Sequence, residues 1–298
     1  MHKKEVDFTK LQAVMLVATF FSLWLAVYFE NAVENLLAYV LILSFGILHG
    51  ANDIKLLQVE AKKKSKRYDF LRILAYYIFF VLGVAALFSI LPAIALGLFI
   101  LFSAYHFGEQ HWISKINGSS RYSLFLFTAY GLVILFLLFA AHSMEVSDII
   151  FDISKVYINN TYYQFMLGIS FIVFVVLFLV KYKQIQCNIL LELFYLLVFF
   201  IIFNTASLLW AFAIFFILWH AIPSLGDQIT YLYGDLSRKH FIKYLRTSII
   251  YWLASVITLV LLFFFMEGSS QEFIPFLFSF LAAITFPHVL VISGLNKN

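Results

Sequence analysis

The sequence predicts an all-α, polytopic transmembrane helical bundle of about ten spans with both termini cytoplasmic, and three observations predict it. Hydrophobic residues make up 63% of the chain and aromatic residues 20%, against 12% charged, and the mean hydropathy is +0.95. That composition suits a bilayer rather than water as solvent. Apolar runs of about 20 residues, the length that crosses a hydrocarbon core, recur along the chain. The basic residues are also segregated: Lys3, Lys4, Lys10, the run Lys62–Arg67, Arg72, Lys115, Arg121, Lys181, Lys183, Arg238, Lys239, Lys243, Arg246 and Lys297 fall on one side, which is 18 of the 20, and Lys155 alone in a segment on the other. This is the positive-inside pattern, and it favours an even number of spans.

The expected spans, in order, are roughly 11–29, 36–58, 70–89, 93–113, 122–141, 162–180, 188–203, 207–231, 246–266 and 273–295. The first comes after His2-Lys3-Lys4, as a signal peptide would, but it is long and no small-residue cleavage site precedes Glu30, so it is kept as a helix. Glu30, Glu34, Glu145, Asp148, Asp152, Glu267 and Glu272 fall on the outer side, and the loop 142–161 there is expected to hold a short interfacial helix. No Pro/Gly/Ser-rich linker divides the chain, so 1–298 is read as a single integral-membrane domain. The run Lys62–Arg67 is an orientation anchor before it is a lipid patch. Gly46 and Gly50 are expected to allow close helix approach.

The net charge of +4 reports topology and not nucleic-acid binding, because its carriers sit at helix ends. A single cysteine, Cys187, excludes an internal disulfide and a thiolate cluster. Imidazole and carboxylate are left as possible metal ligands.

Four stretches place histidine inside apolar runs: GILHGAND around His49, LFSAYHFGEQHW around His106, ILWHAIPSLGDQ around His220 and TFPHVLV around His288. Imidazole and charge are costly at bilayer depth and mark functional sites there. On the expected topology the four host helices all run inward, and each histidine lies about 13 to 15 residues from its helix start. At 1.5 Å per residue the four share one level, about 20 Å below the outer boundary. Asp53 is i+4 from His49, Glu109 is i+3 from His106 and Asp227 is i+7 from His220. Each spacing returns to one helix face, so the acids are expected to receive N–H groups from the rings and offset a cation's charge.

A lone intramembrane histidine commonly serves as a helix–helix hydrogen-bonding group. Four at one depth with three facing acids favour one metal centre. His111 is read as an interfacial or outer residue with the reserve role of alternative ligand. His2, His142 and His240 are expected to be solvated, Glu192 to reach the inner interface, and Lys55 to pair with an acid or snorkel. Tyr105, Phe107, Trp219 and Phe286, with Phe45, are candidates for the wall of an apolar substrate pocket. Pro223 is expected to break the helix ladder just after His220. Imidazole ligands suit iron, zinc, copper or nickel. A site deep in hydrocarbon favours a lipid substrate, and a four-histidine iron(II) would keep two positions for dioxygen.

At these same residues the chain resembles a known family. HGANDIKLL, SAYHFGEQHW, WHAIPS and PHVLVISG are similar to the motifs of the Brp/Blh family, bacterial and archaeal membrane β-carotene 15,15'-dioxygenases, over about 40–295. The resemblance implies a non-heme iron (Fe2+) oxidoreductase that uses O2 to split the central double bond of β-carotene into two retinals, destined for a microbial rhodopsin. It implies a multi-pass protein of the cell membrane that contacts the lipid bilayer and no nucleic acid. By position, His49, His106 and His220 fall on ligand motifs and His288 on the Pro-His motif. Some members carry a further histidine where this chain has Ser224, which makes His288 the fourth-ligand candidate, with His111 in reserve. A membrane desaturase or hydroxylase would need HxxxH and HxxHH clusters that are not present. A haem-binding electron carrier and a histidine-based proton-coupled transporter are the readings from other classes.

Overall fold

The computed structural model describes residues 8–64, 70–117, 121–265 and 273–296. His2, Lys3, Lys4, Lys66, Arg67, Glu267, Glu272 and Lys297 lie outside the described residues. The chain is all-helical: α1 Phe8–Tyr28, α2 Asn31–Leu41, α3 Asp53–Lys63, α4 Phe70–Ile90, α5 Pro92–Trp112, α6 Arg121–Ala141, α7 Ser143–Ser154, α8 Thr161–Lys181, α9 Ile189–Thr205, α10 Leu208–Ile214, α11 Ile222–Tyr233, α12 Arg238–Phe265 and α13 Phe273–Asn296. Among the described residues the only extended pairing is an isolated bridge between Ile116 and Ile185. Among the described residues eight helical segments are long and apolar enough to cross a membrane, and Asn31–Gly46 and Ile189–Thr205 are shorter apolar helices. The loop expected at 142–161 contains α7, which closes on Lys155 in the left-handed region (φ 58°).

The helices fall into two compact units, one of Met1–Ile73 with Thr205–Val260, the other of Leu74–Asn204 with Leu261–Asn298. In the first unit two expected helices are interrupted where histidine sits. The helix expected over 36–58 instead runs as α2, a π-helical turn Ile42–Gly46, a break at 49–52 and then α3. At the break the Asp53 N–H turns to the Gly50 carbonyl (3.2 Å) instead of the His49 carbonyl that a continuous helix would offer it. Asn52 in the cap position and Asp53 in the first turn of α3 suit a restart, because an acid there meets the positive end of the helix dipole.

The helix expected over 207–231 is also compound: α10, a π-helical turn Phe215–Ala221, then α11. Pro223 explains the turn, since it has no N–H for the Trp219 carbonyl and its ring crowds that oxygen. The chain widens before the proline, with the Ile222 N–H bonded to Ile217 O, five residues back. Pro223 then opens α11, which ends on Gly234 at φ 97°.

Buried polar contacts fix the parts of this unit to one another. The Glu34 carboxylate, buried within α2 and not in the outer loop where it was expected, accepts the Ser207 N–H at 2.7 Å at the start of α10. Trp252 Nε1 donates to the Leu43 carbonyl (2.8 Å), and Trp210 Nε1 to the Ser22 carbonyl (3.1 Å). Gly46 lets the two π-helical turns approach, for a Cβ there would lie 3.0 Å from the Phe216 ring. Leu48, Leu225, Ile229 and Tyr244 form a buried cluster beside the break.

In the second unit α5 and α6 lie backbone against backbone. A Cβ on Gly108 would sit 1.9 Å from the Phe127 carbonyl oxygen, and one on Gly131 1.8 Å from that of Ala104. No side chain can yield there, so glycine is required at both positions. The opposite side of α5 meets α13 through Phe102 and Phe286, whose ring centroids are 5.1 Å apart in a cluster with Val84, Ala282 and Ala283. Gly108→Ala and Gly131→Ala are each expected to cost about 3 kcal/mol or more by overpacking. Gly97→Ala, where a Cβ meets nothing within 4 Å, is expected to leave thermal unfolding in detergent unchanged.

Candidate metal centre

Each unit holds one edge-on pair of buried histidines. In the first, His49 at the helix break faces His220 on the second π-helical turn, with ring centroids 5.4 Å apart and planes at 88°. In the second, His106 on α5 faces His288 on α13 at 5.2 Å and 86°. All four rings are at most 6% exposed. Two imidazoles sharing one ion at metal–nitrogen distances of about 2.1 Å would have centroids about 5 Å apart. Both pairs meet that spacing, which ordinary edge-to-face packing also satisfies.

The donor chemistry of His49 is the more telling fit. Its Nδ1 lies 2.5 Å from the Gly46 carbonyl oxygen, which can only accept, so Nδ1 carries the proton and Nε2 presents its lone pair. A backbone carbonyl that fixes the tautomer of a ring is a standard support for a metal-ligating histidine. The ring is also held edge-on against Phe216 at 5.4 Å, and Phe216 stacks on His220 at 5.8 Å and 19°. The residues present therefore fit a metal.

The acids differ in their placement. Glu109, one turn beyond His106, is 2% exposed and accepts the Tyr105 hydroxyl at 2.6 Å and the Ser293 hydroxyl at 2.9 Å. Ser293 belongs to α13, five residues after His288, so this carboxylate joins the two helices that carry the histidine pair. Asp53 is 1% exposed but opens α3 beyond the break, so its i+4 relation to His49 is not a helical one. Asp227 is exposed and Gln228 takes the buried position. The extra residue of the π-helical turn accounts for this, because it rotates the residues after it by about 100°, a single helical step.

The remaining candidates resolve by their partners. Tyr105 commits its hydroxyl to Glu109, and Trp219 Nε1 donates to Thr19 Oγ1 at 3.0 Å on α1. Phe107 and Phe286 are buried, and Phe45 is exposed. Trp112 packs against Tyr130, Phe174 and Phe178. His111 stacks on Tyr130 with centroids 4.7 Å apart, while its Nε2 is 2.6 Å from Glu192 Oε2 and 2.9 Å from Lys115 Nζ. Lys115 closes the cluster on Glu192 Oε1 at 2.6 Å. His111 is thus engaged as an ion-cluster residue, which leaves His288 as the partner of His106, and Glu192 faces charge rather than the interface. His240 pairs with Asp235 at 2.6 Å and stacks on Tyr233, and His142 heads α7, partly buried. Lys55 donates to the Tyr233 hydroxyl at 2.7 Å instead of meeting an acid.

Sequence reasoning missed Gln228, Tyr244 and Ser293. The proline three residues after His220 was the available signal for Gln228, since a π-helical turn ahead of it moves the inward position on by one. Ser293 and Tyr244 had no such signal.

A family model described as beta-carotene 15,15'-dioxygenase matches residues 40–296. No curated protein and no solved structure matches the chain.

Breaking the partly buried Glu192 cluster by Glu192→Ala is expected to cost about 1–3 kcal/mol, because Lys115 is left uncompensated. Replacing the pair together, Lys115→Met with Glu192→Leu, is expected to recover most of that loss in thermal unfolding of the detergent-solubilised protein.

Proposed function

The chain belongs to the family of β-carotene 15,15'-dioxygenases, and on that premise we propose that it splits the central double bond of β-carotene with O2 into two retinals. In this reading an iron(II) is held by His49, His106, His220 and His288. The observation that carries the assignment is that the matched region contains two buried, edge-on histidine pairs at these four positions. Iron(II), when bound, supplies the redox chemistry that dioxygen needs to react with an apolar polyene.

The protein's own groups do the rest. The Gly46 carbonyl keeps the proton of His49 on Nδ1, which leaves Nε2 as the neutral donor that would hold the ion. Glu109 contributes a negative charge one turn from His106 and holds α13 to α5 through Ser293. Four neutral imidazoles leave a dication's charge unmatched, and a carboxylate nearby offsets it in a low dielectric. Asp53 is assigned the same compensating role beside His49. Burial of the rings keeps water from the reacting polyene and suits a substrate that arrives from lipid. Phe107 and Phe286 are assigned to the apolar wall. The protein resides in the cell membrane with about ten spans and both termini cytoplasmic, and its retinal passes to a microbial rhodopsin.

Retinal formation by β-carotene-accumulating cells expressing the chain tests this directly. Alanine at His49, His106, His220 or His288 is expected to lower retinal yield by more than about 100-fold and to deplete iron in the purified protein. Yields unchanged in all four variants would refute the assignment. A Soret band in the purified wild-type protein would point instead to haem.

A further inference from the structure

We infer that Gln228 and Tyr244 are positioning residues for the His49 ligand, acting through its peptide carbonyl; the inference rests on the proposed metal role of His49. The helix break creates the need. With the Asp53 N–H given to Gly50, the His49 carbonyl has no helical donor in a buried, lipid-excluded interior, where an unmet carbonyl is costly. Gln228 Nε2 supplies the donor at 2.7 Å. The Tyr244 hydroxyl lies 3.3 Å from the same oxygen and donates at 2.8 Å to Gln228 Oε1.

The amide is held at both ends. Its oxygen takes the Tyr244 proton, and its nitrogen spends one hydrogen on His49 O and the other on Ser224 Oγ at 3.2 Å. That pattern fixes which end of the amide faces the carbonyl. Asn52, in the break itself, donates from Nδ2 to the Tyr244 carbonyl at 3.2 Å, so the turn and α12 grip each other in both directions. Gln228 and Tyr244 are 3% and 0% exposed, so no water competes for these bonds.

The consequence falls on the ring. The Nδ1 bond to Gly46 O and the edge contact with Phe216 orient the His49 ring, and where that ring stands depends on the backbone that carries it. A π-helical turn that ends at Gly46 and a break that begins at His49 flank that backbone and give it little intrinsic stiffness. The carbonyl clamp from α11, the helix that continues from His220, ties the aim of one imidazole to the segment bearing the other. Sequence spacing pointed to Asp227 for the support of this pair; the group in place is a neutral amide, which holds the backbone without adding charge.

Cobalt(II) binding to purified, detergent-solubilised protein tests the inference, because its visible ligand-field spectrum reports donor geometry per bound ion. Gln228→Met keeps the shape and removes the donor; Tyr244→Phe removes only the hydroxyl. Both are expected to shift the cobalt bands and to raise the dissociation constant by about tenfold, a typical effect of losing a ligand's support. Trp252→Phe is the comparator, since it removes a bond to Leu43 O in the same unit. It is expected to lower thermal stability with the spectrum unchanged. Wild-type bands and affinity in both Gln228→Met and Tyr244→Phe, counted per folded molecule, would overturn the inference. His49→Ala separates the two levels: a wild-type spectrum there removes His49 as a ligand, whereas a changed spectrum there with silent Gln228 and Tyr244 variants removes only the clamp.

Discussion

The interior of a membrane protein offers no water to a backbone carbonyl, so any departure from regular helix must be answered by another group of the protein. This constraint accounts for the first unit. It departs from helix at two π-helical turns and one break, and His49 and His220 are placed by these departures. The carbonyl released at the break is met by Gln228, and the free N–H of Ser207 at the start of α10 is met by the carboxylate of Glu34. Irregular backbone persists here because specific buried side chains satisfy it.

The second unit solves a different problem by different means. Its histidines stand on helices without such interruptions, and the approach of whole helices is the quantity to be controlled. Bare glycine backbone at 108 and 131 brings α5 onto α6, a partly buried ion cluster ties the end of α5 to α9 through His111, and Glu109 with Ser293 fixes α13. Pro287 immediately before His288 stays within α13 without ending it. One unit therefore aims its imidazoles by bending the chain, and the other by packing straight segments closely.

Polar groups that are costly at bilayer depth are used sparingly and in defined roles. Glu109 accepts two hydroxyls, and Glu192 faces one ammonium and one imidazole. Gln228 spends both hydrogens and its oxygen on protein partners. Such saturation gives rigidity, since a half-satisfied network in a low dielectric would be worse than an apolar one. Rigidity is what a set of ligands must have to hold an ion in one geometry.

The sequence by itself determined the helical membrane class, the order of the apolar segments, the four histidines and the family, because those depend on composition, run length and local motifs. The i+3 spacing of Glu109 from His106 keeps its meaning, since α5 is a regular helix and Glu109 is buried there. Only the tertiary structure decided that Gln228 and not Asp227 turns inward, that the segment after His49 is broken, and that His111 belongs to an ion cluster with Glu192 and Lys115. The physical reason is the same each time. Spacing along a helix predicts a face only while the helix keeps one period, and partners 81 or 179 residues away in sequence, as for His111 with Glu192 and His49 with Gln228, are chosen by packing that no local pattern records.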